Sequence, residues 1–385
     1  MKKVFILLIA LLFSFHSIQA QHADSCGLQI SILTCAPADE LYATFGHSAI
    51  RVIDSVKHTD IVFNYGTFDF SDPDFYTKFM RGHLDYFLSI EPYNSFTEQY
   101  IEDKRTIYEQ ILHLTCEEKQ RIYAALIKNL EGSNRYYKYD FLYDNCTTRI
   151  RDMVFNNVNG SNVRGKITPE GTTFRNMLHE YLDKGGKPWS KLGIDILLGS
   201  PVDKKVSVKN AMFLPDYLMK GIDSTVVDHH SLIVASKNIA LLETPPDTAS
   251  GKYQPLIWSM IFSLFIVWMS FTKAKWAGIT LKLLDSFLLY ATGIVGILLA
   301  FMWTGTDHWV CKYNYNLFWA LPTNFVAAFF IWKKPQFIKK YFTAAAVITG
   351  MFLAGWFIMP QQINIALLPL SIVALFRYIK LAQPN

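Results

Sequence analysis

"YDNCTTRIRD", Tyr143 to Asp152, sets a cysteine directly after an acid and an amide and directly before a stretch with helical spacing. Cys146, Ile150 and Met153 recur at one-turn intervals, so the segment from Cys146 predicts a helix, with Asp144 or Asn145 as its N-cap. Cys146 then falls in the first turn, where free N–H groups and the helix dipole favour an anion. A thiol in that setting ionises closer to neutral pH and becomes nucleophilic. A single cysteine is more often a small buried hydrophobe, so the reading depends on the compartment and on what base can reach the sulfur.

The compartment follows from "MKKVFILLIALLFSFHSIQA". Lys2 and Lys3 precede an apolar run, and Ala20 closes it at a plausible cleavage point, so residues 1–20 read as a secretory signal peptide. The rest of the chain divides sharply, although the overall composition (51% hydrophobic, 15% aromatic) conceals it. Residues 21–242 alternate charged and apolar positions and read as an exported domain. Residues 243–254, within "ETPPDTASGKYQP", read as a linker rich in Pro, Gly and small polar residues. Residues 255–385 are mostly apolar. Five candidate spans lie there, at 255–272, 282–303, 314–332, 341–358 and 362–378, each near the ~20 residues a bilayer requires. "TKAKWAGITLK", "KKPQFIKK" and "RYIK" put the lysines on one side of five such spans, which makes that side cytoplasmic and exports the N-terminal domain. The net charge of +5 therefore reads as topology and not as nucleic-acid binding.

Within the exported domain, "YATFGHSAIRVID", "DIVFNYGTFDF" and "HLDYFLSIEPY" predict three strands, the first two joined as a hairpin. "EQYIEDKRTIYEQILHL" reads as a strand-to-loop passage and "CEEKQRIYAALIKNLEG" as a helix capped by Thr115 and Glu118. Residues 165–240 look mostly helical. Five cysteines is an odd number for an exported chain; Cys26 and Cys35 flank "GLQISILT" and are placed to bridge, and at least one thiol stays free. Of the histidines, His47 stands apart because it follows Gly46 and opens an otherwise apolar strand. A thiol at a helix start and a histidine at a strand start are the two halves of a Cys–His site. Neither has a further His or Cys at ligand spacing, so no metal is expected; no cofactor is expected either.

"FGHSAIRV" followed far downstream by "YDFLYDNCTTRIRD" resembles the circularly permuted papain-like thiol enzymes of the NlpC superfamily, in which the His strand precedes the Cys helix. An exported domain of this kind followed by a membrane bundle is similar to the Lnb family of Bacteroidetes. The resemblance implies an α+β permuted papain-like (NlpC-type) domain and an all-α bundle of about five transmembrane helices, in the bacterial inner membrane with the first domain in the periplasm. It also implies lipoprotein N-acyltransfer, in which an acyl chain from a phospholipid donor passes to the N-terminal amine of a lipoprotein acceptor. Cys146 matches the nucleophile and His47 the base. The third, orienting position falls on the strand after His47, where Asn64 and Tyr65 are in view; Asn64 is chosen because an amide can hold an imidazole tautomer. Arg149 follows Cys146 by a turn, and Asp307, His308, Asn314 and Asn316 lie in or beside the outer loop "GTDHWVCKYNYN", so these five are candidates for headgroup or lipoprotein contact. A solvated helix face and an ordinary interfacial loop explain them as simply. Two other functions use the same residues: a thiol hydrolase of cell-wall peptides, and a non-enzymatic membrane receptor or assembly factor.

Overall fold

The computed structural model describes residues 26–240, 251–333 and 335–383. The expected signal peptide and most of the expected linker lie outside the described residues. In the N-terminal domain the strands are β1 (Leu28–Cys35), β2 (His47–Asp54), β3 (Thr59–Thr67), β4 (Asp85–Pro92), β5 (Ile107–Leu112), β6 (Tyr136–Lys138), β7 (Asn162–Val163), β8 (Thr225–Val227), β9 (His230–Ser231) and β10 (Ile233–Ala240). The helices are α1 (Phe75–Arg81), α2 (Tyr93–Glu102), α3 (Cys116–Leu130), α4 (Cys146–Phe155), α5 (Phe174–Lys184), α6 (Pro188–Leu197), α7 (Val208–Ala211) and α8 (Pro215–Asp223). The main sheet runs β10-β5-β1-β2-β3-β4-β6 with every neighbouring pair antiparallel, and β7-β8-β9 form a small second sheet.

Alternation along the strands sorts the core into two layers. Ile30, Ile32, Ile50, Val52 and Phe63 face α3, α4 and α8, where they meet Ile122, Leu126, Ile150, Val154 and Leu218. Leu33, Cys35, Ala49 and Val62 face the other way, onto Phe96 and Tyr100 of α2. A fully buried Ile or Leu contributes roughly 1.5–3 kcal/mol, so these layers hold the sheet centre firmly. β1 is covered on both faces, so even its polar Ser31 and Thr34 are buried; the alternation of Leu28, Ile30 and Ile32 with Gln29 and Ser31 is a strand signal that the sequence reading passed over. Two further differences from the sequence reading lie in the neighbouring segments. The passage from Glu98 onward is the end of α2 followed by β5, and the last part of 165–240 is not helical but forms β8, β9 and β10. β10 is held by pairing with β5, a partner far away in the chain. Cys26 and Cys35 do not bridge. Cys35 is a free thiol at the far end of β1, and the eight extended residues of that strand, at roughly 3.3 Å each, span far more than a disulfide can.

The C-terminal region consists of α9 (Gln254–Phe271), α10 (Lys275–Thr304), α11 (Asn324–Ala328), α12 (Gln336–Ala354) and α13 (Leu367–Ala382). Three of these, α9, α10 and α12, are long and apolar enough to cross a membrane. The other two expected spans take different forms. The segment 315–333 runs back along α10 as a 3-10 turn, the short α11 and turns, broken around Pro322. It can lie that close because α10 carries glycines there: a Cβ on Gly293 would stand 2.1 Å from the Phe325 nitrogen, and one on Gly296 2.1 Å from the Ala320 oxygen. Asn324, buried in the bundle, donates to Thr292 Oγ1 and Tyr378 and accepts from Tyr341, which gives the irregular segment polar partners inside the bundle. The fifth expected span is the 16-residue α13, whose Arg377 is paired with Asp285 of α10 at 2.7 Å.

The two regions are clamped together at the C-terminal end of α6. Asn314 donates to the carbonyls of Ile196 and Leu197, Asn316 to those of Asp195 and Ile196, and Gln361 to that of Leu198. The Gly199 N–H donates to the Val310 carbonyl, and a Cβ at Gly199 would stand 1.9 Å from the Lys312 oxygen. Beneath this contact, buried Arg175 pairs with Asp195 at 2.7 Å and Asp203 at 2.9 Å, and Asn364 of the membrane region donates to Asp195 at 2.8 Å. Arg175→Ala leaves Asp203 without its guanidinium and Asp195 with only His179 and Asn364. It is expected to cost about 3–5 kcal/mol, seen as a lowered melting temperature in detergent; an unchanged melting temperature would show that this ion cluster does not stabilise the clamp.

Candidate active site

β2 and β3 pair from Asp54↔Thr59 to Ile50↔Phe63, and His47–Ala49 and Asn64–Gly66 lie beyond that last pair. The first residue of α4 sits at this fork. Two glycines make room. Gly46 turns the chain into β2 with φ +75°, and a Cβ there would press within 2.7 Å of the Cys35 carbonyl oxygen. Gly66 has φ +90° where β3 slips its register against β4, and its Cβ position would be 3.4 Å from Cβ of Cys146.

The helix start is fixed by Asn145. Its Oδ1 accepts from the Thr148 N–H at 2.8 Å while the Thr148 hydroxyl accepts from the Asn145 N–H, a reciprocal capping box. Its Nδ2 donates to the carbonyls of Phe141 and Phe213. Of the two capping residues weighed from the sequence, Asn145 is the cap, and Asp144 instead makes a two-pronged ion pair with Arg149 at 2.6 and 2.8 Å.

His47 stands between Cys146 and Asn64. Its Nε2 donates to Asn64 Oδ1 at 2.6 Å, which leaves Nδ1 as the ring nitrogen that can serve the thiol. Asn64 Nδ2 donates in turn to Glu91 Oε1 at 3.4 Å, so the amide presents its oxygen to the ring. The sulfur lies 3.7 Å from the Thr147 hydroxyl. Burial opposes ionisation of Cys146, but the charge and hydrogen bond of His47, with the Ser48 N–H and Thr147, outweigh it and bring the thiol down from 9.0 to about 7. For His47, burial opposes the charged ring, and the Cys146 charge and hydrogen bond and Asn64 outweigh it, so its pKa rises. Both shifts run toward the charged forms, as coupling between a thiolate and an imidazolium requires. The N–H groups of Cys146 and Thr147, in the first turn, have no intrahelical acceptor by position and are available to a developing oxyanion.

The pH dependence follows. Alkylation of Cys146 by iodoacetamide, followed peptide by peptide, is expected to be half-maximal near pH 7. Cys35, which burial pushes up to about 12, should stay unmodified. A Cys146 profile centred at the ordinary thiol value would remove the ion pair.

Matches to two protein-family models bear on this geometry. The model of the Lnb N-terminal periplasmic domain matches residues 15–180, and that of the Lnb transmembrane domain matches residues 247–383. The chain belongs to the Lnb family. It is therefore an inner-membrane protein with its N-terminal domain in the periplasm. No curated protein and no solved structure matches it. Since α10 ends at Thr304 against the periplasmic domain, the Lys-bearing start of that helix lies on the cytoplasmic side, as the lysine distribution implies.

The structure of this Lnb-family chain brings Cys146, His47 and Asn64 together and separates the remaining candidates from them. Asn314 and Asn316 are buried, and the α6 carbonyls already take their donors, so they fasten the two regions and do not face a substrate. Asp307 and His308 are engaged at the N-terminal domain, Asp307 with His83 at 3.1 Å and His308 with the Phe79 carbonyl at 3.0 Å. Arg149 is held by Asp144 and stacks 3.5 Å over Tyr137. It lines a cavity of about 370 Å³ with Tyr65, Asn129 and Asp152, whose walls include none of the three central residues. Sequence reading passed over Gly66, Ser48 and Glu91. A glycine inside the strand pattern "FNYGTF" signals a bulge and could have been noticed, whereas Glu91 acts across a strand pair and carries no local signal. Among the described residues, no group of three or more His, Cys, Asp or Glu side chains could hold a metal ion.

Proposed function

We propose that this protein is a cysteine acyltransferase that moves an acyl chain from a phospholipid to the N-terminal amine of a lipoprotein. One observation carries the reading: a cysteine at a helix start beside a histidine whose charge favours the thiolate, in a periplasmic domain clamped directly onto a membrane bundle. Cys146 Sγ attacks the ester carbonyl, forming the C–S bond, and the C–O bond breaks as His47 gives its proton to the departing lysophospholipid oxygen. The neutral acceptor amine then attacks the thioester. A C–N bond forms, the C–S bond breaks to release the thiolate, and His47 takes the amine proton, which restores the starting pair. Asn64, steadied by Glu91, positions the ring. Water in place of the amine would give hydrolysis, so keeping water out decides the outcome.

The test is to present the purified protein with phospholipid and read the mass of the Cys146 peptide. One acyl group is expected there, released by neutral hydroxylamine as a thioester would be, and discharged faster by a diacyl lipopeptide with a free N-terminal amine than by water. If phospholipid never labels Cys146 and cell-wall peptides are cut, the protein is a hydrolase and the bundle only an anchor.

A further inference from the structure

The excursion between β3 and β4, residues 68–83, plays no part in the catalytic geometry, yet Phe70, Tyr76 and Phe79 stand exposed on it. Its helix α1 buries only Phe75. Phe70 is 73% exposed, Tyr76 80%, Phe79 52% and Met80 47%. Such a patch is costly in water and marks a contact surface. Its position says what the contact is. The Asp307 N–H donates to the Arg81 carbonyl, His308 donates to the Phe79 carbonyl, and Asp307 pairs with His83. Asp307 and His308 lie in the loop that follows α10, a membrane-crossing helix ending at Thr304. The patch is thus pinned where that helix leaves the bilayer.

The same rings lead inward. Phe70 meets Phe75 at 4.9 Å, Phe75 meets Phe68 at 5.7 Å, Phe68 meets Tyr86 at 5.3 Å and Tyr86 meets Tyr139 at 4.5 Å. Tyr86 also meets Tyr137 at 6.3 Å, and the Tyr137 hydroxyl and Cys146 Cβ both border Gly66, 4.0 and 3.4 Å from where its Cβ would stand. From the other side, Trp309 of the same membrane loop donates to Asp140 and stacks on Tyr143, in the turn that leads into Cys146. A continuous aromatic wall therefore runs from the bilayer surface to the thiol.

We infer that residues 68–83 form a lipid-inserting element, which sinks Tyr76, Phe79 and Met80 into the periplasmic leaflet and guides an acyl chain along the ring wall to Cys146. The occupant is lipid because the patch continues the surface of a membrane-embedded bundle and is built of aromatic side chains, which favour the membrane–water boundary. The guiding role rests on the acyltransferase reading; the insertion does not.

The experiment places a benzophenone amino acid at Tyr76, at Phe79 or, as a control on the distant hairpin turn, at Val56, in the full-length protein in phosphatidylethanolamine nanodiscs. Lipid adducts are expected at Tyr76 and Phe79 but not at Val56. Adducts at the Val56 level, or adducts to protein only, would overturn the inference. In parallel, Tyr76→Asp/Phe79→Asp is expected to slow loading of Cys146 from bilayer phospholipid about tenfold or more, while the iodoacetamide alkylation rate of Cys146 stays that of the wild type, showing an intact site. Loading at wild-type rate would refute the guiding role. Lipid adducts without any loading of Cys146 in the wild-type protein would count against the acyltransferase reading and leave the insertion standing.

Discussion

Cys146→Ala is expected to abolish acyl loading altogether, and Cys146→Ser to lower it by on the order of 10³-fold or more, with both proteins still accumulating in the membrane. The alanine variant has no nucleophile. The serine variant keeps the size and the helix position, but a hydroxyl does not ionise where a thiol held at about 7 does. The fold should tolerate both changes, because α4 is held by Asn145 and by Ile150 and Val154 in the core, not by the half-buried sulfur; stability should stay within about 1 kcal/mol of wild type. Loading is read as the mass of acylated protein after a single incubation with phospholipid, and melting in detergent reads the fold. Wild-type-like transfer by Cys146→Ala would remove the covalent mechanism.

His47→Ala is the second large effect. Loss of the group that protonates the leaving oxygen is expected to slow loading by about 10²–10⁴-fold. The same change should alter the pH profile in a defined direction. Burial alone raises the thiol, and the charge and hydrogen bond of His47 are the main contributions against it. Without them the midpoint of Cys146 alkylation should move up past 9.0, the ordinary thiol value. The slower transfer and the upward shift belong together; slow transfer with the midpoint still near 7 would mean that the thiolate owes its stability to the helix start and not to the imidazole. Asn64→Ala should show both effects in weaker form, since it frees the ring to turn without removing it.

What was legible from the sequence was whatever is written in neighbouring residues. The helix from Cys146 and its cap, the capping box at Thr115, the strand opening at His47 and the change from alternating to continuous apolar sequence near Gln254 are all local patterns of side-chain spacing. β10 was not legible because it depends on its distant partner β5, whereas β1 carries a local alternation of Leu28, Ile30 and Ile32 with Gln29 and Ser31 that could have been read. The spans divide in the same way. Apolar length marked α9, α10 and α12, but length does not reveal that 315–333 breaks around Pro322, since only the glycines of α10 and the polar partners of Asn324 allow it.

The candidate site shows where the division falls. The sequence by itself determined the compartment, the ionisable thiol at a helix start and a histidine at a strand start. It left Asn64 and Tyr65 side by side, and spacing alone could not choose between them. Only the tertiary structure decided, because adjacent residues of a strand point to opposite faces and the register of β3 determines which face is which. Tyr65 turns into the core, where its hydroxyl accepts from Asn129 at 2.7 Å, and Asn64 turns to His47. The outer-loop asparagines follow the same rule. Their polarity was visible in the sequence, but whether an amide meets a substrate or a helix carbonyl depends on what folds against it, and here the end of α6 takes both.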